Sequence, residues 1–156
     1  MMLASKTKPN HNCARAASGD ALLLPLPRAE ARQRSLVAHL ALAVCRDGKG
    51  NKHQLSELAR MVYLSFFMWQ KGLGLANDEL FRDAERVLEH TAQYADATGE
   101  WLLDSPQLVE EVAQLYDVQL DAIAKGTLLD CEIEFVRTLD RVAVRNAEHP
   151  ASVAGS

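Results

Sequence analysis

The sequence predicts an all-α fold, an up-and-down bundle of four or five helices with a flexible N-terminal arm, and three observations predict it. Apolar residues recur at helical spacing through five successive segments between residues 28 and 146. Start and stop signals separate these segments, among them DSPQ at 104–107 and the glycine Gly99. No stretch sustains the alternation of a half-buried strand.

Residues 1–27 mix Lys, Asn, Ser, Ala and Gly before LLLPLP at 22–27, and carry neither helical nor strand period. They are expected to form a mobile arm, its end pinned to the core by Leu22, Leu23, Leu24 and Leu26, because two prolines keep the path extended. The first helix, about 28–46, places Leu36, Leu40, Ala43 and Val44 on one stripe, with Arg28, Arg32 and Arg34 near its start. The second, about 53–71, is apolar on two sides. Leu55, Leu58, Val62, Phe66 and Trp69 form one stripe and Met61, Leu64 and Met68 the other, so it is expected to lie at the centre.

The third helix starts with Asn77 or Asp78 as N-cap, turns Leu80, Phe81, Ala84, Val87, Leu88, Thr91 and Ala95 inward, and stops at Gly99. The fourth is capped by Asp104 or Ser105, with Pro106 in the first position. Glu110 and Glu111 favour its positive end, and Val109, Val112, Tyr116 and Ile123 point to the core. Gly126 is expected to end it. Thr127 with Asp130 then makes a capping-box-like start for the fifth helix, which continues to about residue 145 through Leu128, Ile133, Phe135, Val136, Leu139 and Val142. Short links imply antiparallel neighbours. Residues 147–156 are expected to form a frayed tail.

A chain of 156 residues, 48% hydrophobic and 24% charged, suits one domain. Its densest apolar run, MVYLSFFMW at 61–69, is far short of a membrane span and is flanked by Arg60 and Lys71. Lys6 and Lys8 are followed by no continuous apolar stretch, so a secretory signal is not expected and a cytoplasmic location is. Cys13, Cys45 and Cys131 are too far apart for a metal knuckle and are read as reduced thiols. The five histidines show no paired ligand spacing, and Cys45 with His53 fits no known one, so no metal or cofactor is expected.

The loop CRDGKGNKHQL at 45–55 suggests several motifs and satisfies none. Counting from Asp47, a calcium loop would need an oxygen ligand where Lys49 stands and a glutamate where Leu58 stands. A phosphate loop would need a wider glycine spacing after a strand. The loop reads as a hinge: Gly48 or Gly50 supplies a left-handed residue to end the first helix, and Asn51 helps to begin the second. Anion binding by Lys49 and Lys52 beside free N–H groups is the alternative.

No nucleophile and base stand at a recognisable spacing, and an enzyme is not expected. The aromatic run from Met61 to Trp69 is read as core, with any excess marking a subunit interface. Charge, by contrast, is strongly segregated. Residues 1–72 hold 11 Lys plus Arg against 4 Asp plus Glu, residues 73–156 hold 6 against 17, and +7 with −11 gives the net −4. The expected partner-binding residues are the acidic cluster Asp83, Glu85, Glu89, Glu110 and Glu111. Arg28, Arg32 and Arg34 are the cations for nucleic acid or an acidic partner.

LGLANDELFRDAERVL at 73–88 resembles the end of a Fis-like helix-turn-helix. The would-be reading helix departs from that pattern, since Asp78, Glu79, Asp83, Glu85 and Glu89 face only Arg82 and Arg86 and would be repelled by phosphates. HLALAVCRDGKGN and LARMVYLSFF, with the basic arm, are similar to small helical proteins of proteobacterial phages and mobile elements, some labelled Fis-like regulators. The resemblance implies a non-enzymatic accessory that occludes a host protein, such as a nucleic-acid-binding defence complex with a basic groove, in the manner of an anti-CRISPR inhibitor. A DNA-associated regulator is the alternative. A dimer is compatible with either.

Overall fold

The computed structural model describes residues 19–149. Five long helices follow a short helical turn at 19–23: α1 (Arg28–Arg46), α2 (Lys52–Gln70), α3 (Asp78–Thr98), α4 (Pro106–Ala122) and α5 (Lys125–Glu148). Local chemistry sets most of their ends. Asn51 accepts from the His53 and Gln54 amides while the Gln54 side chain returns to the Asn51 amide, a closed capping box at the start of α2. Asn77 caps α3 through the Leu80 amide, and Gly99 ends it at φ 78°. Pro106 begins α4, although Ser105 makes no side-chain cap.

The central position of α2 is borne out, since it packs against all four other helices. Around it α1, α3 and α4 complete a four-helix core in which α4 touches α1, α2 and α3. Leu58, Met61, Leu64 and Met68 of α2 are almost wholly buried, and Phe66 and Trp69 pack against Phe81 of α3 with ring centroids 5.5 Å apart. One polar group crosses this core. Buried Gln119 accepts from the Ser65 hydroxyl at 2.7 Å and donates to the Ser65 and Leu73 carbonyls at 3.0 Å each, which fixes the register of α4 against α2.

The first helix corrects its predicted stripe. Leu36 and Leu40 are 58% and 56% exposed, and Ala43 and Val44 only half-buried. The buried face is instead Ala31, Ala38, Ala41, Leu42 and Cys45, whose small side chains let α1 approach α2 and α4 closely. The loop after it turns the chain on its two glycines. Gly48 takes φ 73°, whereas Gly50 is needed for space: a Cβ there would sit 2.6 Å from the Cys45 sulfur.

The α4–α5 junction corrects the sequence twice. Helix α4 ends at Ala122 with extended Ile123, and Gly126 and Thr127 lie inside the first turn of α5, with no capping box. The cause is tertiary. Leu26 N–H donates to the Ile123 carbonyl at 3.0 Å and Lys125 N–H to the Leu24 carbonyl at 2.9 Å, so residues 24–26 form a strap across the junction. That end of the expected arm is therefore bonded to the bundle, through Leu26, while Leu22, Leu23 and Leu24 stay exposed. The rest of the arm, 1–18, and the tail from 150 lie outside the described residues.

Helix α5 also departs from the antiparallel-neighbour rule: among the described residues its backbone packs on α2 and not on α4, and Arg34 of α1 reaches it at Glu132. Arg60 in α2 and Lys71 just past its end reach Glu132 and Glu134, which are two residues apart on α5, so α5 crosses α2 rather than running alongside it. Leu128, Cys131 and Phe135 pack inward at the crossing. Of the apolar residues expected along this helix, Ile133 and Val136 are 42% and 54% exposed because they face away from α2, and Leu139 and Val142 are 49% and 45% exposed because the bundle ends beneath them.

Candidate functional site

Between α2 and α3 lies a cleft of about 460 Å³. Leu55, Ala59 and Val62 of α2 and Leu88 and Ala92 of α3 give it an apolar floor, closed at one end by Trp101. Its rim is acidic. Glu85, Glu89 and Asp96 stand four and seven residues apart on one line of α3, opposed by a single cation, Lys52. The Tyr63 hydroxyl donates to Glu85, and burial followed by that bond pushes the tyrosine far above its usual value, so it remains a protonated donor. Glu89 and Asp96 make no ion pair among the described residues.

Of the five predicted acidic residues, the structure brings together only Glu85 and Glu89. Asp83 lies on another side of α3 and pairs with Arg86 at 2.8 Å. Glu110 is held by Arg46 of α1 at 2.7 Å, and Glu111 is exposed on α4. Asp96, which sequence reasoning passed over, completes the rim; its position eleven residues after Glu85 is the periodicity that would have found it.

The cations are likewise divided. Arg28 and Arg32 line a broader groove of about 840 Å³ between α1 and α4, in which Asp117 and Asp121 face them. Arg34 points elsewhere, to Glu132 at 2.8 Å and Glu30 at 3.3 Å. In that groove His39 pairs with Asp117 at 2.8 Å, a long-range contact no local motif announces. The broad groove balances its charges, whereas the α2–α3 cleft carries a net negative rim above an apolar floor, which makes the smaller cleft the more selective surface.

The anion reading of the opening loop loses its donors. The His53 and Gln54 amides bond to Asn51, and Lys52 lies at the mouth of the acidic cleft, while Lys49 is exposed. Cys45 and Cys131 are free, buried thiols, and burial raises both, Cys131 to about 11, which disfavours a thiolate nucleophile. No cluster of three or more candidate metal ligands occurs among the described residues, and none of their helices is long and apolar enough to cross a membrane. Compared with protein-family models, curated proteins and solved structures, the chain matches none, so the cleft is interpreted from its own chemistry.

Proposed function

We propose that the protein is a non-enzymatic binding module whose α2–α3 cleft takes a cationic, amphipathic segment of a partner protein. The observation that supports this is the pairing of an apolar floor with the carboxylates Glu85, Glu89 and Asp96 along one edge. An apolar side chain of the partner fills the floor and its lysines or arginines meet the rim, the usual division between affinity and steering. If that segment belongs to the nucleic-acid channel of a host complex, occupying it excludes the nucleic acid. That is how the chain would act as an inhibitor of the phage or mobile-element kind.

The regulator reading has less support. Arg82 is bound to Asp78 at 2.5 Å and Arg86 to Asp83 at 2.8 Å, which leaves the start of α3 without free cations for phosphates. Affinity capture from a host lysate tests the proposal. The native chain is expected to retain a basic protein, and Glu85→Lys with Glu89→Lys and Asp96→Lys to lose it without loss of helicity. Retention by the triple variant, or tight binding of free duplex DNA by the native chain, would overturn it.

A further inference from the structure

The outward side of α5 is an apolar face that the bundle leaves uncovered. Leu129, Ile133 and Val136 are 46%, 42% and 54% exposed and follow the four-then-three spacing of a helix–helix seam. The strap extends it, because Leu22, 41% exposed, lies against Gly126 one turn before Leu129. Further along, Val144 is 56% exposed. A helix half without neighbours is marginal in water, so the length of α5 calls for a covering surface.

We propose that this face pairs antiparallel with the same face of a second copy of the chain, about a two-fold axis between Ile133 and Val136. The order of charges along α5 selects that occupant. Its first half carries Asp130, Glu132 and Glu134 against Lys125, and its second half Arg137, Arg141 and Arg145 against Asp140 and Glu148. Glu132 and Glu134 already meet Arg34, Arg60 and Lys71 within the bundle, so Asp130 and Arg137 carry the contrast. Parallel copies would set like against like. Antiparallel copies set each acidic half beside a basic one.

The register follows from the flanks. Asp130 and Arg137 border the same edge of the seam, seven residues or roughly 10 Å apart, too far to meet within one helix. Neither enters an ion pair among the described residues. With the axis between Ile133 and Val136, Asp130 faces the second copy's Arg137, and the symmetry repeats the pair. Ile133 then meets the second copy's Val136, and Gly126 with the neighbouring Leu22 meets its Ala143 and Val144. In the same register Asp140 stands opposite the second copy's Leu129, one layer inside the Gly126–Ala143 contact, so the dry part of the seam is confined to Ile133 and Val136.

Sedimentation of the full chain from micromolar to near-millimolar concentration tests this. The native chain is expected to show a reversible dimer, and Ile133→Asp to be monomeric with unchanged far-ultraviolet dichroism. Asp130→Arg and Arg137→Asp are each expected to weaken dimerisation about tenfold, and the combined swap to restore it to within about threefold of native. Should Ile133→Asp lose helicity, the charge swap decides alone. A native chain that stays monomeric throughout, a dimer indifferent to Ile133→Asp in a folded variant, or a combined swap no better than either single change would overturn the proposal.

Discussion

Gly126 inverts the ordinary preference of a helix. Alanine in place of glycine normally stabilises a helix by about 1 kcal/mol. Here a Cβ would stand 2.9 Å from the Leu22 carbonyl oxygen and 3.1 Å from its Cβ. Gly126→Ala is therefore expected to lower stability by about 1–2 kcal/mol in urea unfolding, through displacement of the strap. Gln119 works at the same scale. Removing its amide leaves the Ser65 hydroxyl and the Leu73 carbonyl without this partner, so Gln119→Leu is expected to cost about 3 kcal/mol despite its similar size, read in the same experiment.

Among the elements, α1 separates hydrophobicity from burial. Leu36 and Leu40 look outward and Ala31, Ala38 and Ala41 inward, so Leu36→Glu is expected to change the melting temperature little, while Ala38→Leu forces α1 away from its neighbours at about 2 kcal/mol. The sequence concealed this because alanine adds little to an apolar stripe, yet its small size decides how closely helices approach. Helices α2 and α3 were legible because Asn51, Asn77 and Gly99 carry their own boundary chemistry. The α4–α5 break was not, since Ile123 and Ala124 bear no turn signal and are held open by Leu24 and Leu26 from far upstream. The cleft was half legible. Glu85 and Glu89 share a face in any helix, but only the fold sets them beside Tyr63 and apart from Glu110.

Across the whole molecule, the charge separation seen along the chain is partly undone by folding. Arg46–Glu110, Arg34–Glu132, Arg60–Glu132 and Lys71–Glu134 each join the basic half to the acidic half. The exposed Arg46–Glu110 pair contributes little, whereas Arg34–Glu132 is part-buried. Titration at high pH has a larger global effect. Cys131 is raised from 9.0 to about 11, mainly by burial, and Tyr63 and Tyr116 are raised as well, again mainly by burial. Their neutral forms are favoured in the folded state, so their contribution is complete below the ordinary values and is lost as pH rises through the elevated ones. Stability is expected to fall between about pH 9 and about pH 11, and to fall less steeply in Cys131→Ala, as urea midpoints across that range would show.

The strap also orders events in time. Leu24 and Leu26 leave the ribosome long before Ile123 and Lys125, their only backbone partners at that junction, so the start of the bundle waits for its last helix to begin. Until then α1 to α4 can collapse on local contacts, but the α4–α5 corner has nothing to hold it open, and α4 is free to run on past Ala122. A chain halted after α4 is therefore expected to leave Leu26 exchanging its amide proton freely. Once α5 has formed, the same proton is released only when the corner opens, which makes Leu26 a native reporter of the closed α4–α5 corner, readable by hydrogen exchange.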